Sequence, residues 1–151
     1  MLGREMRILS FILPSLLIAA SLNAPASADA RYPRCLPGPF YVFFQWDSSD
    51  IADDGIAVLE QVIAARVWCG PNVKVVIDGH ADRSQDHRMS KRISIARAMA
   101  VAKLLHDNGI LNDVIRTTGF AERKPRILTE NGVREFQNRR VEIRFVLPEK
   151  N

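Results

Sequence analysis

The residue types that usually build a catalytic or metal centre are scarce in this chain. It carries three histidines and two cysteines in 151 residues. His80, His87 and His106 include no His-x-x-x-His pair, the spacing that sets two ligands on one helix face. His80-x-Asp82 with Asp86-His87 gathers two histidines and two acids in one loop, but no distant third ligand set accompanies them, and Arg83 and Arg88 would repel a cation. Neither a metal nor another cofactor is therefore expected, and no enzyme activity. A cysteine nucleophile is equally unsupported, because no cluster of basic groups stands beside Cys35 or Cys69 to generate a thiolate. Internal repeats and low-complexity segments are absent too, which excludes solenoids and disordered linkers.

Long apolar runs are also lacking, save one. Arg4 and Arg7 precede a run from Ile8 to Leu22, shorter than the roughly 20 residues of a membrane span. Ala26-Ser27-Ala28 and Ala28-Asp29-Ala30 follow, each with the small-x-small form of a signal-peptidase site. Residues 1–30 are expected to be a signal peptide cleaved after Ala28 or Ala30, leaving no transmembrane segment in the mature chain. Tyr32-Pro33-Arg34 before Cys35 does not resemble a lipoprotein cleavage site, so no lipid anchor is expected. The expected location is the periplasm or cell envelope, with outer-membrane association.

What remains is one domain's worth of chain: a segment 31–39, a domain 40–147 and a tail 148–151. The full chain has 21 basic and 17 acidic residues, a net charge of +4. Nucleic acid is not an expected partner for an exported protein, and Glu135, Phe136 and Glu142 interrupt the basic run from Arg134 to Arg144. Mild basicity suits a polyanion of the same compartment, such as the cell wall. In that oxidising space Cys35 and Cys69 should pair. One precedes the first strand and the other lies between the first helix and the second strand, points that share one end of a βαβ unit.

Periodicity supplies the elements. Phe40 to Phe44 is aromatic and β-branched and reads as a buried strand. Ile56, Leu59, Ile63 and Val67 recur at helical spacing after Asp53 and Asp54, and Gly70-Pro71-Asn72 stops that helix. Val73 to Ile77 is a nearly all-apolar, central strand. A second helix is predicted from about Ser90 to His106 with Asn108-Gly109 as its stop. Ile115 to Thr118 is a short strand, 120–137 is mostly loop with a helical turn near Arg134, and Val141, Ile143, Phe145 and Leu147 line one face of the last strand. The sum is an α/β (α+β) sandwich of βαβαββ type, a mixed four-stranded sheet with helices packed on one face.

Charge placement points to a site. On the second helix Met89, Ile93, Ala96, Ala100, Val101 and Leu104 form one stripe, and Arg97 falls inside it. A guanidinium there needs a partner. Asp82, which closes the strand feeding this helix, is the expected one, at the strand ends where ligands collect in open sheets. Asp47 has the same relation to the first strand. Arg139 shares the parity of Val141 and Ile143 and should face the buried side, unlike Arg140. An Asp82–Arg97 bridge that merely fixes the loop's shape is the competing reading.

Phe44-Gln45-Trp46-Asp47-Ser48, Gly79-His80-Ala81-Asp82, Ile93-Ser94 with Arg97-Ala98, and Asn138-Arg139-Arg140-Val141-Glu142-Ile143 together resemble the OmpA-like domain, from about Phe40 to Phe145. The resemblance implies non-covalent, non-catalytic binding of peptidoglycan through the diaminopimelate of its stem peptides, linking envelope to wall. It implies that Asp82 holds the ligand's ammonium and Arg97 a carboxylate, with further contacts at Asp47, Arg139 and Ser90. Bidentate arginine suits a carboxylate, which makes the implied chemistry coherent. The sequence departs from the family pattern at Ala81 (usually Thr), Ser90 (usually Asn), Met89 (usually Tyr), Gln45 (often Asp) and in Arg83-Ser84-Gln85-Asp86, which lacks a customary glycine. An envelope interaction protein, engaging other envelope proteins and keeping the fold without wall binding, is the alternative.

Overall fold

The computed structural model describes residues 34–148. The expected signal peptide, its cleavage sites and residues 149–151 of the tail lie outside the described residues. Strand β1 is Phe40–Phe43, helix α1 Asp53–Cys69, strand β2 Lys74–Gly79, helix α2 His87–Asp107, strand β3 Ile115–Gly119 and strand β4 Arg140–Val146. Short 3-10 turns at Asn112–Val114 and Phe136–Asn138 precede β3 and β4. The sheet runs β1-β4-β2-β3, with β2 and β3 parallel and β4 antiparallel to both its neighbours. The expected mixed four-stranded α/β architecture is therefore the observed one. Among the described residues no helix is long and apolar enough to cross a membrane.

Alternation builds the core. Val42 and Phe44, Val75 and Ile77, and Val141, Ile143 and Phe145 point to the helix side and are buried. They meet Leu59 and Val62 of α1 and Ala98, Val101 and Leu105 of α2. Both helices are rotated from the expected stripes. On α1 the buried face is Gly55, Leu59, Val62, Ala65 and Cys69, whereas Ile56 and Val67 are exposed. This helix is apolar on several faces, so packing decides. A Cβ on Gly55 would lie 2.9 Å from Val42 Cγ1, and Cys69 is drawn inward by its disulfide to Cys35, with Cα atoms 4.5 Å apart.

On α2 the buried face is Ser90, Ser94, Arg97, Ala98, Val101 and Leu105. Its small residues let the helix lie directly on the sheet. A Cβ on Gly79 would stand 2.0 Å from the Ser94 carbonyl oxygen, and one on Gly119, its register partner, 2.4 Å from Ile95 Cγ1. The helix also starts a turn earlier than predicted, because Asp86 caps it by accepting the Met89 amide at 2.9 Å.

Candidate functional site

The carboxyl ends of β1, β2 and β3 and the start of β4 share one edge of the sheet, and the predicted residues converge there. Asp47 lies in the turn after β1, Asp82 after β2, Arg139 just before β4, and Arg97 reaches over from α2. Sheet order sets their pairings. Because β4 lies between β1 and β2, Arg139 enters beside Asp82, and its Nη1 donates to Asp82 Oδ2 at 2.9 Å while its Nε donates to the Phe44 carbonyl at 3.1 Å. The expected Asp82–Arg97 bridge is thus replaced by Asp82–Arg139.

Arg97 is 1% exposed, and its hydrogen-bond partners are backbone carbonyls. Its Nε donates to the Ser48 carbonyl at 2.9 Å, Nη1 to the His80 carbonyl at 3.0 Å and Nη2 to the Gln45 carbonyl at 3.0 Å. One guanidinium therefore ties the turn after β1 to the end of β2. Arginine has five N–H donors; three are used here, so each terminal nitrogen keeps one N–H without an acceptor among the described residues. Burial pulls the Arg97 pKa down to about 10, against the opposing pull of the Asp82 charge and with help from Arg139. It stays protonated at neutral pH.

Asp82 is 4% exposed. Its Oδ1 accepts the Ser84 hydroxyl at 2.6 Å and the Ser84 amide at 3.3 Å, and its Oδ2 also accepts the Glu135 amide at 3.3 Å. Burial alone would raise its pKa, but the hydrogen bonds from Ser84 and Arg139 outweigh that and hold the carboxyl below its ordinary value. Asp47 is exposed, with φ +51°, a left-handed conformation that aspartate tolerates better than most residues. Its Oδ1 accepts Gln85 Nε2 at 3.0 Å. Ser90 is fully buried one turn into α2, and its hydroxyl has no hydrogen-bond partner among the described residues.

Beside the site one sequence expectation holds for the face but not for burial, and another fails. Arg140 is buried like Arg139, though on the opposite face, where its Nε donates to Glu142 Oε1 at 2.9 Å. His80 is not a satisfied strand-end residue. It is buried and stacked on Phe120 with centroids 5.4 Å apart, and neither ring nitrogen has a hydrogen-bond partner among the described residues. Burial, and next the Arg140 charge, lower its pKa to about 4.

Other residues had no assigned part in the sequence reading. Ser84 was readable in principle, since a serine two residues after an aspartate favours a local side-chain turn. Asn138 is fully buried and braces the preceding loop, accepting the amides of Arg126 and Ile127 at 2.7 and 2.9 Å and donating to the Ile127 carbonyl at 2.7 Å. Nothing in its sequence neighbourhood signals that. A cleft of about 520 Å³ lies outside the pair, lined by Arg83, Ser84, Gln85, Asp86, Glu122 and Asn131 among others.

This geometry can be set beside known proteins. A model of the OmpA family matches residues 43–139. An outer membrane protein of Gluconacetobacter diazotrophicus is 31% identical over 113 residues, 69% of this chain and 29% of that protein. The peptidoglycan-associated lipoprotein of Pseudomonas aeruginosa is 26% identical, and the match spans 68% of this chain and 60% of that one. This chain therefore matches less than two thirds of either relative's length. Among solved structures, the peptidoglycan-associated lipoprotein of Burkholderia pseudomallei superposes with a TM-score of 0.64 at 24% identity, over 70% of this chain and 89% of that one. The C-terminal domain of Helicobacter pylori MotB gives 0.64 at 21% identity, over 74% and 85%. The family match covers the turn after β1, the Asp82 loop, α2 and Arg139 alike, so the chain belongs to the OmpA family.

Proposed function

We propose that this protein is a non-catalytic cell-envelope module that binds peptidoglycan through the diaminopimelate of its stem peptides. The observation that carries the reading is the convergence, at one sheet edge, of a buried ionised carboxylate and two buried guanidinium groups, Asp82 with Arg139 and Arg97. A zwitterionic amino acid needs both signs held a short distance apart. Asp82 would take the ammonium, and the two remaining Arg97 N–H groups a carboxylate, with Asp47 and Ser90 as polar neighbours. Relatives named peptidoglycan-associated lipoprotein in Pseudomonas aeruginosa and Rhizobium meliloti support it.

Access sets the energetic demand. The turn after β1 and the loop after β2 are latched together by Trp46 Nε1 to Ser84 Oγ at 3.0 Å and Gln85 to Asp47 at 3.0 Å. A ligand's ammonium would have to compete with Arg139 for Asp82. The burial of both charges favours, as a second reading, a fold-keeping envelope interaction protein in which these groups only brace the loops.

Pelleting with isolated sacculi separates the two. Asp82→Asn and Arg97→Lys preserve size and should abolish co-sedimentation at temperatures where circular dichroism shows them folded. Losing one partner of a desolvated charged contact typically costs 2–5 kcal/mol. Folded variants that sediment like wild type, or a wild-type protein that stays in the supernatant, would leave the bracing role alone standing.

A further inference from the structure

We infer that Trp46 and Phe136 form a sugar-stacking platform at the rim of the site, taking the glycan of the wall while the charged residues take its peptide; this rests on the wall-binding reading. Trp46, in the turn after β1, is 40% exposed, and Phe136, in the 3-10 turn before β4, is 44% exposed. Both are tethered to the same carboxylate. The Trp46 indole N–H donates to Ser84 Oγ, which in turn donates to Asp82 Oδ1 at 2.6 Å. Phe136 directly follows Glu135, whose amide donates to Asp82 Oδ2.

The rings are also fixed in orientation. Phe136 stacks on Phe43 with centroids 5.4 Å apart, and Phe43 stacks on Tyr41 at 6.3 Å. Arg134 lies over one face of Trp46 at 3.6 Å, Arg126 over Tyr41 at 4.6 Å and Arg139 5.4 Å from the Phe136 centroid. A held, half-open aromatic ring with its negative π face suits the C–H face of a pyranose. The exposed guanidinium groups of Arg134 and Arg126 supply donors for hydroxyl and N-acetyl oxygens. Wall chemistry fits the placement. Two residues separate diaminopimelate from the sugar, so an extended stem of roughly 10 Å keeps the sugar outside the charged pocket.

Calorimetric titration with two ligands tests this: a diaminopimelate-containing stem tripeptide, and the same tripeptide bearing its disaccharide. Wild type should bind the disaccharide form roughly three- to tenfold more tightly, the range of one good aromatic contact. Phe136→Ala should reduce that ratio toward unity with tripeptide affinity retained. Trp46→Phe, which keeps a ring but loses the Ser84 bond, should keep most of the ratio, and Trp46→Ala should not. The chain has two tryptophans, so in a Trp68→Phe background Trp46 fluorescence should shift with the disaccharide form and not with the tripeptide. Equal wild-type affinities for the two ligands overturn the platform and leave the peptide site intact. Trp46→Ala lowering both affinities by one factor also overturns it, making Trp46 a positioning residue for Asp82. A wild type that binds neither ligand overturns the wall reading and the platform together.

Discussion

Arg97 is the largest of the fully buried side chains among the described residues, and it carries a full charge. Such a group is tolerated because three carbonyl oxygens from two loops accept from it. Removing it leaves the buried His80 carbonyl and the part-buried Gln45 and Ser48 carbonyls without their donor, at about 1–3 kcal/mol each before relaxation and less where water reaches them. Arg97→Ala should therefore lower unfolding free energy by roughly 3–5 kcal/mol in urea titrations. Arg97→Lys should recover little of it, since a compact ammonium cannot span the fork; a lysine variant as stable as wild type would refute this bracing role. His80 makes the opposite case, a buried group that resists charge. Its pKa falls from 6.5 to about 4 on folding, so between those values the unfolded chain holds the extra proton and stability falls as pH is lowered. The loss should approach about 3 kcal/mol by pH 4. His80→Phe should flatten that slope in denaturant titrations at pH 7.5 and 5. Asp82, with its pKa depressed, adds stability that is present above the ordinary carboxylate range and disappears at lower pH, as pH drops through its folded value.

At the level of elements, the contact of α2 with the sheet governs where Arg97 sits. Gly79 and Gly119 form the floor: the Ser94 backbone rests on Gly79, and Ile95 with the Ser94 hydroxyl on Gly119. Gly79→Ala should force the helix outward and cost about 3 kcal/mol or more, by overpacking against backbone that cannot rotate away. Gly109→Ala meets nothing within 4 Å and carries only the penalty of φ +90°, about 1–2 kcal/mol. Equal melting temperatures for the two variants would count against helix seating as the tight constraint. This same contact explains what the sequence could and could not reveal. The alternation of Val141, Ile143 and Phe145 fixed the face of β4 correctly, because period two leaves one choice. The α2 stripe, by contrast, was read through Met89, Ile93 and Leu104, all only partly buried, because a close glycine-floored contact favours serine and alanine over larger apolar residues. Asp47, Asp82 and Arg139 were placed at the right strand ends from local pattern, and Arg97 on the buried side of the right helix. Their pairing was not legible, since it follows from β4 inserting between β1 and β2, and strand order has no local signature.

Across the whole molecule, the charged site and the disulfide occupy opposite ends of the sheet. Cys35 precedes the start of β1 and Cys69 ends α1 ahead of β2, whereas Asp47 and Asp82 follow the far ends of those strands. The bridge closes a segment of sequence separation 34, for which loop entropy gives about 3–4 kcal/mol. It also holds the residues before β1, where the Pro37 carbonyl accepts the Phe145 amide at 2.8 Å. Stability and recognition should therefore separate. The double variant Cys35→Ser/Cys69→Ser should lose about 3–4 kcal/mol in denaturant titrations. At a temperature where it remains folded it should still co-sediment with sacculi like wild type, because no site residue touches that end. A folded double variant with weakened sedimentation would show that the two ends are mechanically coupled through the strands.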